Sequence, residues 1–145
     1  MRPYIIIKLL SFFLVILIYC SCKRTSFYSS EDCVNYDYSG CNSTEPLVAG
    51  LNIRLTINDE NPRVLITIYE GNIENSTVVS RDTISTSKYY IELPPNKFYT
   101  VKAQYVSGQK IIYAIGGDNI KKIRNQVCDS VCWSTEDGNV NVELK

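Results

Sequence analysis

The chain has 145 residues, with 15 basic and 15 acidic side chains and no histidine. That is room for one domain, without the commonest general base or the commonest metal ligand. No basic block or stripe occurs, which argues against a nucleic-acid partner. Glycine-rich phosphate cradles and serine-nucleophile elbows are also missing. The chain therefore reads as a non-enzyme, with no catalytic residue, cofactor or metal nominated.

In chain order, the first element is a leader. Arg2 and Lys8 flank its start, and residues 9–20 form an apolar run. That run fits the core of a signal peptide and falls short of the roughly 20 residues that span a bilayer; an uncleaved anchor is the competing reading. Tyr19-Cys20-Ser21-Cys22 follows and resembles a lipobox, in which a small residue precedes the acylated cysteine. Ser21 makes Cys22 the better acceptor, since Cys20 follows bulky Tyr19. Tyr19 departs from the pattern, which has Leu three residues before the acceptor. The resemblance implies a cleaved segment 1–21 and a membrane partner held through lipid, palmitate included, on Cys22. Lys23, rather than Asp, favours the outer membrane, on its periplasmic or surface face. Removing Arg2 and Lys8 leaves 13 basic and 15 acidic residues, a net charge of −2.

Residues 22–46 read as a polar lipidated tether carrying a small cysteine loop. From residue 47 the pattern becomes period-two alternation. Leu51, Ile53, Leu55 and Ile57 mark a first strand, ended by Asn-Asp-Glu-Asn-Pro at 58–62. Residues 63–70 put Val64, Ile66 and Ile68 on one face. Residues 76–85 form a weaker strand suited to a sheet edge. Residues 88–93 turn Tyr89, Ile91 and Leu93 inward, and Pro94-Pro95-Asn96 stops them. Residues 98–105 bury Tyr99, Val101, Ala103 and Tyr105. A strand at 110–115 is followed by a turn at Gly116-Gly117-Asp118-Asn119 and a polar strand near 120–127. Val140, Val142 and Leu144 close the chain on one face. Seven or eight short strands without a helical stripe predict an all-β, antiparallel β-sandwich over residues 47–145. No helical crossover is available to support parallel pairing.

Residues 92–101, Glu-Leu-Pro-Pro-Asn-Lys-Phe-Tyr-Thr-Val, resemble the Leu-Pro turn and Tyr-x-Val strand of transthyretin-like and collagen-adhesin B-type domains. These are seven-stranded Ig-like sandwiches. Asn96-Lys97 replaces the usual glycine, and Arg54 stands where those adhesins place an isopeptide lysine, so that bond is not carried over. A second resemblance joins Cys22, Cys33, Cys41 and Gly50-Leu51-Asn52-Ile53 to the start of fimbrillin-anchor lipoproteins of Gram-negative anaerobes. Those have paired transthyretin-like domains, and this chain has space for one. Such bacteria O-glycosylate Asp-Ser/Thr-apolar triplets. Asp82-Thr83-Ile84 and Asp129-Ser130-Val131 match, making Thr83 and Ser130 candidate O-glycosylation residues, with chance as the even-odds alternative. The sequons at Asn42 and Asn75 are seldom used in bacterial lipoproteins.

After export Cys33, Cys41, Cys128 and Cys132 remain, an even number in an oxidising compartment. Their spacing suits neither a zinc site nor a two-residue redox motif, which leaves two structural disulfides in one of three pairings. Local pairing, Cys33 with Cys41 and Cys128 with Cys132, closes loops worth about 2–2.5 kcal/mol each; crossed pairing closes about 100 residues for nearer 4.7 kcal/mol. The transthyretin-like resemblance implies local pairing. Trp133 is expected to pack on a bridge or the core, and most tyrosines to alternate inward. The leading functional reading is a membrane-anchored, non-catalytic lipoprotein of cell-surface assembly or adhesion, with a protein partner. Alternatives are a glycan-binding accessory module and a small enzyme inhibitor. An exposed strand edge favours assembly by strand addition; an exposed aromatic row favours glycans.

Overall fold

Alternating apolar side chains can leave water only if two sheets face one another, and the computed structural model of the chain shows that arrangement. It describes residues 33–144, so the leader and Cys22 lie outside the described residues. Eight strands are present among them: β1 (Ala49–Arg54), β2 (Val64–Glu70), β3 (Thr77–Ile84), β4 (Lys88–Leu93), β5 (Lys97–Ser107), β6 (Lys110–Val127), β7 (Ser130–Glu136) and β8 (Gly138–Asn141). One sheet has the order β4-β1-β8 and the other β3-β2-β5-β6-β7. The fold is an all-β sandwich.

The core lies where the alternation puts it. Leu51, Ile53 and Leu55 from the smaller sheet meet Val64, Ile66 and Ile68 from β2 and Tyr99, Val101, Ala103 and Tyr105 from β5, all essentially inaccessible. Val140 of β8 and Val142 just after it close the core, and Tyr89, Ile91 and Leu144 pack against its margin. β3 is the exposed edge strand, as its polar composition leads one to expect.

Three features depart from the sequence expectation. The sheets are not wholly antiparallel: β1 and β8 pair in parallel, Leu51 opposite Gly138 and Ile53 opposite Val140. No helical crossover is needed, because the other sheet and β4 together form the connection. Next, Gly116-Gly117 is not a turn but the middle of the continuous β6. A Cβ on Gly117 would sit 2.6 Å from the Phe98 ring and 2.8 Å from the Tyr99 carbonyl oxygen; one on Gly116 would sit 3.1 Å from the Asn141 carbonyl oxygen. Glycine serves close approach here. Finally, β7 (Ser130–Glu136) is a strand that the sequence expectation does not include. It pairs with residues 121–127 of β6 after a tight connection at Cys128-Asp129.

The disulfide pairing expected from the resemblance is corrected as well. Cys41 bonds Cys132, 91 residues away, so the local loops do not form; Cys33 and Cys128 are also disulfide-bonded. One compact unit runs Tyr36–Lys145. Beside the bridge, the Trp133 N–H donates to the Asn42 carbonyl at 2.8 Å, and Lys122 pairs with Glu45. Residues 41–45 thus cover the outer side of β7, which would otherwise be an open edge.

Candidate functional site

β5 and β6 form a hairpin over Ser107-Gly108-Gln109-Lys110, with Ser107 opposite Lys110 and Gly108 at φ 59°. Glycine at the first central position suits a two-residue turn. The loop after β1 braces the hairpin. Buried Asn61 accepts from the Val106 N–H at 2.7 Å and donates to the Val106 carbonyl at 3.0 Å, and Glu60 accepts from the Gly108 N–H at 2.8 Å.

This bracing holds an unusual edge in place. β7 pairs only with residues 121–127 of β6, and β8 approaches β6 near 116–119, where Asp118 accepts from the Asn139 N–H at 2.8 Å. Residues 110–115 therefore pair with β5 alone among the described residues. In a hairpin closed at 107/110, every second residue (111, 113, 115) turns its N–H and C=O outward. Those three are Ile111, Tyr113 and Ile115, exposed by 57%, 52% and 58%.

The same residues belong to the outer face of the larger sheet, since opposed residues share a face. Val106, Gln104 and Lys102 stand opposite Ile111, Tyr113 and Ile115. Leu65 and Thr67 of β2 lie opposite Gln104 and Lys102, and Arg81 of β3 lies opposite Thr67. The Lys102 ammonium is 5.8 Å from the Tyr69 ring centroid and 5.2 Å from that of Tyr113, close enough for cation–π attraction to both. A shallow cleft of about 180 Å³ opens between β3, β2 and β5 on this face.

Most tyrosines do not turn inward, contrary to expectation. Among the described residues only Tyr99 and Tyr105 are fully buried, with Tyr89 packed against the core margin. Tyr99 donates to the Pro94 carbonyl at 2.8 Å. Tyr105 donates to the Val142 carbonyl at 2.8 Å and accepts from the Thr56 N–H at 3.1 Å. Burial raises the pKa of both phenols above the usual 10.0, so they are structural groups. Trp133 packs beside the Cys41–Cys132 bridge with the Lys122 ammonium 5.5 Å over its ring.

Of the nominated residues, Thr83 is exposed on β3 and Ser130 is half-buried at the start of β7. The two are not brought together, lying on strands at opposite ends of the five-stranded sheet. Among the described residues no group of three Cys, Asp or Glu side chains is arranged to hold a metal ion, and no helix is long and apolar enough to cross a membrane. Comparison with protein-family models, curated proteins and solved structures finds no match.

Sequence reasoning missed the edge and the cleft. The signal available was the run Ile111-Ile112-Tyr113-Ala114-Ile115, apolar at consecutive positions. That means apolar groups on both faces of the strand.

Proposed function

We infer that this chain is a membrane-anchored, non-catalytic lipoprotein of cell-surface assembly or adhesion, and that it docks an extended segment of a protein partner along β6. The observation carrying this reading is the unpaired edge at residues 110–115, apolar and braced by Asn61. A free row of N–H and C=O groups is a template for strand addition, with alternate side chains supplying selectivity. The lipobox-like Cys22, the transthyretin-like turn at 92–101 and the fimbrillin-anchor-like start support the same reading, with outer-membrane placement.

The test uses the full chain in its envelope. After cross-linking, native electrophoresis should give a high-mass species that Ile111→Lys/Ile115→Lys loses and that Val79→Lys, on the opposite edge strand, keeps. Identical migration of all three would sink strand addition at β6. For the anchor, Cys22→Ser should leave the membrane fraction. Retention there would refute lipid attachment at this cysteine.

A further inference from the structure

We propose that the cleft on the outer face of the larger sheet binds a carboxylated sugar unit, such as a uronate residue of a surface polysaccharide. It rests on side chains of the sheet face and not on the backbone groups that strand addition would use, with Tyr113, whose ring lies beside Lys102, the one residue common to both.

The argument starts from charge. Arg81 and Lys102 line the cleft, and the lining contains no Asp or Glu. The salt bridges among the described residues join other cations, Lys97, Lys121 and Lys122, so both cleft cations are left for an incoming anion. They flank one position: Thr67 stands opposite Arg81 on one side and Lys102 on the other. At about 4.8 Å per strand step, the two cationic side chains start about 10 Å apart, with the Thr67 hydroxyl position between them. A single carboxylate placed over Thr67 can be reached from both sides, giving charge-assisted hydrogen bonds.

The remainder of the lining selects a sugar over a bare anion. Gln104 supplies an amide that can both donate to and accept from hydroxyls. Leu65, Val78 and Tyr69 supply an apolar floor for a C–H face. The two tyrosine rings beside Lys102 hold its ammonium over the sheet, so part of the ordering entropy is met before the ligand arrives. An extended acidic peptide would use strand pairing, which a sheet face cannot offer.

The test is calorimetric titration of the full-length chain in detergent with tetragalacturonate, its methyl ester and hexaglutamate. The expected result is saturable binding of tetragalacturonate that weakens as salt rises, with the methyl ester at least tenfold weaker. Arg81→Gln and Lys102→Gln should each weaken binding about tenfold, the loss of one charge-assisted contact. Arg124→Gln, a cation on the other half of β6, should leave binding unchanged. Arg81 is exposed on an edge strand, so its variant keeps the test decisive even if Lys102→Gln disturbs folding. Equal affinity for acid and methyl ester, no binding at millimolar ligand, or tighter binding of hexaglutamate each overturns the proposal. The last would reassign the cleft to acidic peptides.

Discussion

Removing one oxygen, by Tyr105→Phe, tests how the two sheets are held together. Tyr105 belongs to β5 in the larger sheet and is fully buried. Its hydroxyl donates to the Val142 carbonyl and accepts from the Thr56 N–H. Thr56 follows β1 and Val142 follows β8, so the hydroxyl joins the larger sheet to two chains leaving the smaller one. The clasp continues outward, since the Thr56 hydroxyl accepts from the Leu144 N–H at 2.8 Å. Phenylalanine fills nearly the same volume, so the packing contribution is small. What changes is that a buried carbonyl and a half-buried N–H lose their partner, a cost of about 2–3 kcal/mol for the pair. Tyr99→Phe removes one bond, to the carbonyl of exposed Pro94, and should cost about 1 kcal/mol. With a urea m-value of about 1.5 kcal/mol/M, the Tyr105 variant should lower the unfolding midpoint by about 1.5 M without changing m. A loss no larger than that of Tyr99→Phe would refute the two-partner clasp.

Gly117→Ala should cost about 1–3 kcal/mol, because its Cβ meets the Phe98 ring and the Tyr99 carbonyl; Gly40→Ala, with open space around it, should stay within about 0.5 kcal/mol. Thermal melts of the two distinguish a crowded mid-strand glycine from one with open space around it. Cys41→Ala/Cys132→Ala should lower stability by at most about 4.6 kcal/mol, the chain-entropy value for a 91-residue separation, and by less because Cys33 and Cys128 are disulfide-bonded as well and already restrict the unfolded chain. The same variant should free residues 41–45 to protease, and unchanged protection would contradict their role as a β7 cover. Tyr99 and Tyr105 have folded pKa values raised above 10.0, so their contribution is full below pH 10 and lost as pH rises through the folded values. Urea midpoints against pH should fall above pH 10, and less steeply in Tyr99→Phe/Tyr105→Phe.

What the sequence made legible follows from where water is excluded on one side only. β1, β2 and β5 each bury one face, so their apolar residues alternate and their inward sets are readable. β7 does not bury one face cleanly: Ser130 through Trp133 are all half-buried, which erases the period. Gly116-Gly117 carries the same letters whether glycine allows a turn or a close approach, and only the neighbours Phe98 and Asn141 distinguish the cases. The crossed disulfide was hidden for a similar reason. Cysteine spacing leaves the pairing open, which here depends on β7 bringing Cys132 beside residues 41–42. Arg81, Thr67 and Lys102 each read simply as outward positions. Their assembly into one row depends on two strand registers, which non-local pairing sets.

The long strand β6 gives the molecule a direction. The Cys41 bridge lands on Cys132, opposite Asn125 in the second half of β6, whereas the open edge centres on Tyr113 in the first half. Twelve residues separate Tyr113 from Asn125, and at about 3.3 Å per residue the two points are about 40 Å apart along the strand. The free edge at 110–115 and the cleft around Lys102, which stands opposite Ile115, belong to the half of β6 away from the bridge. The crossed bridge thus fastens residues 41–42 beside the second half of β6, while residues 110–115 in its first half pair with β5 alone among the described residues, an asymmetry that local pairing would lack.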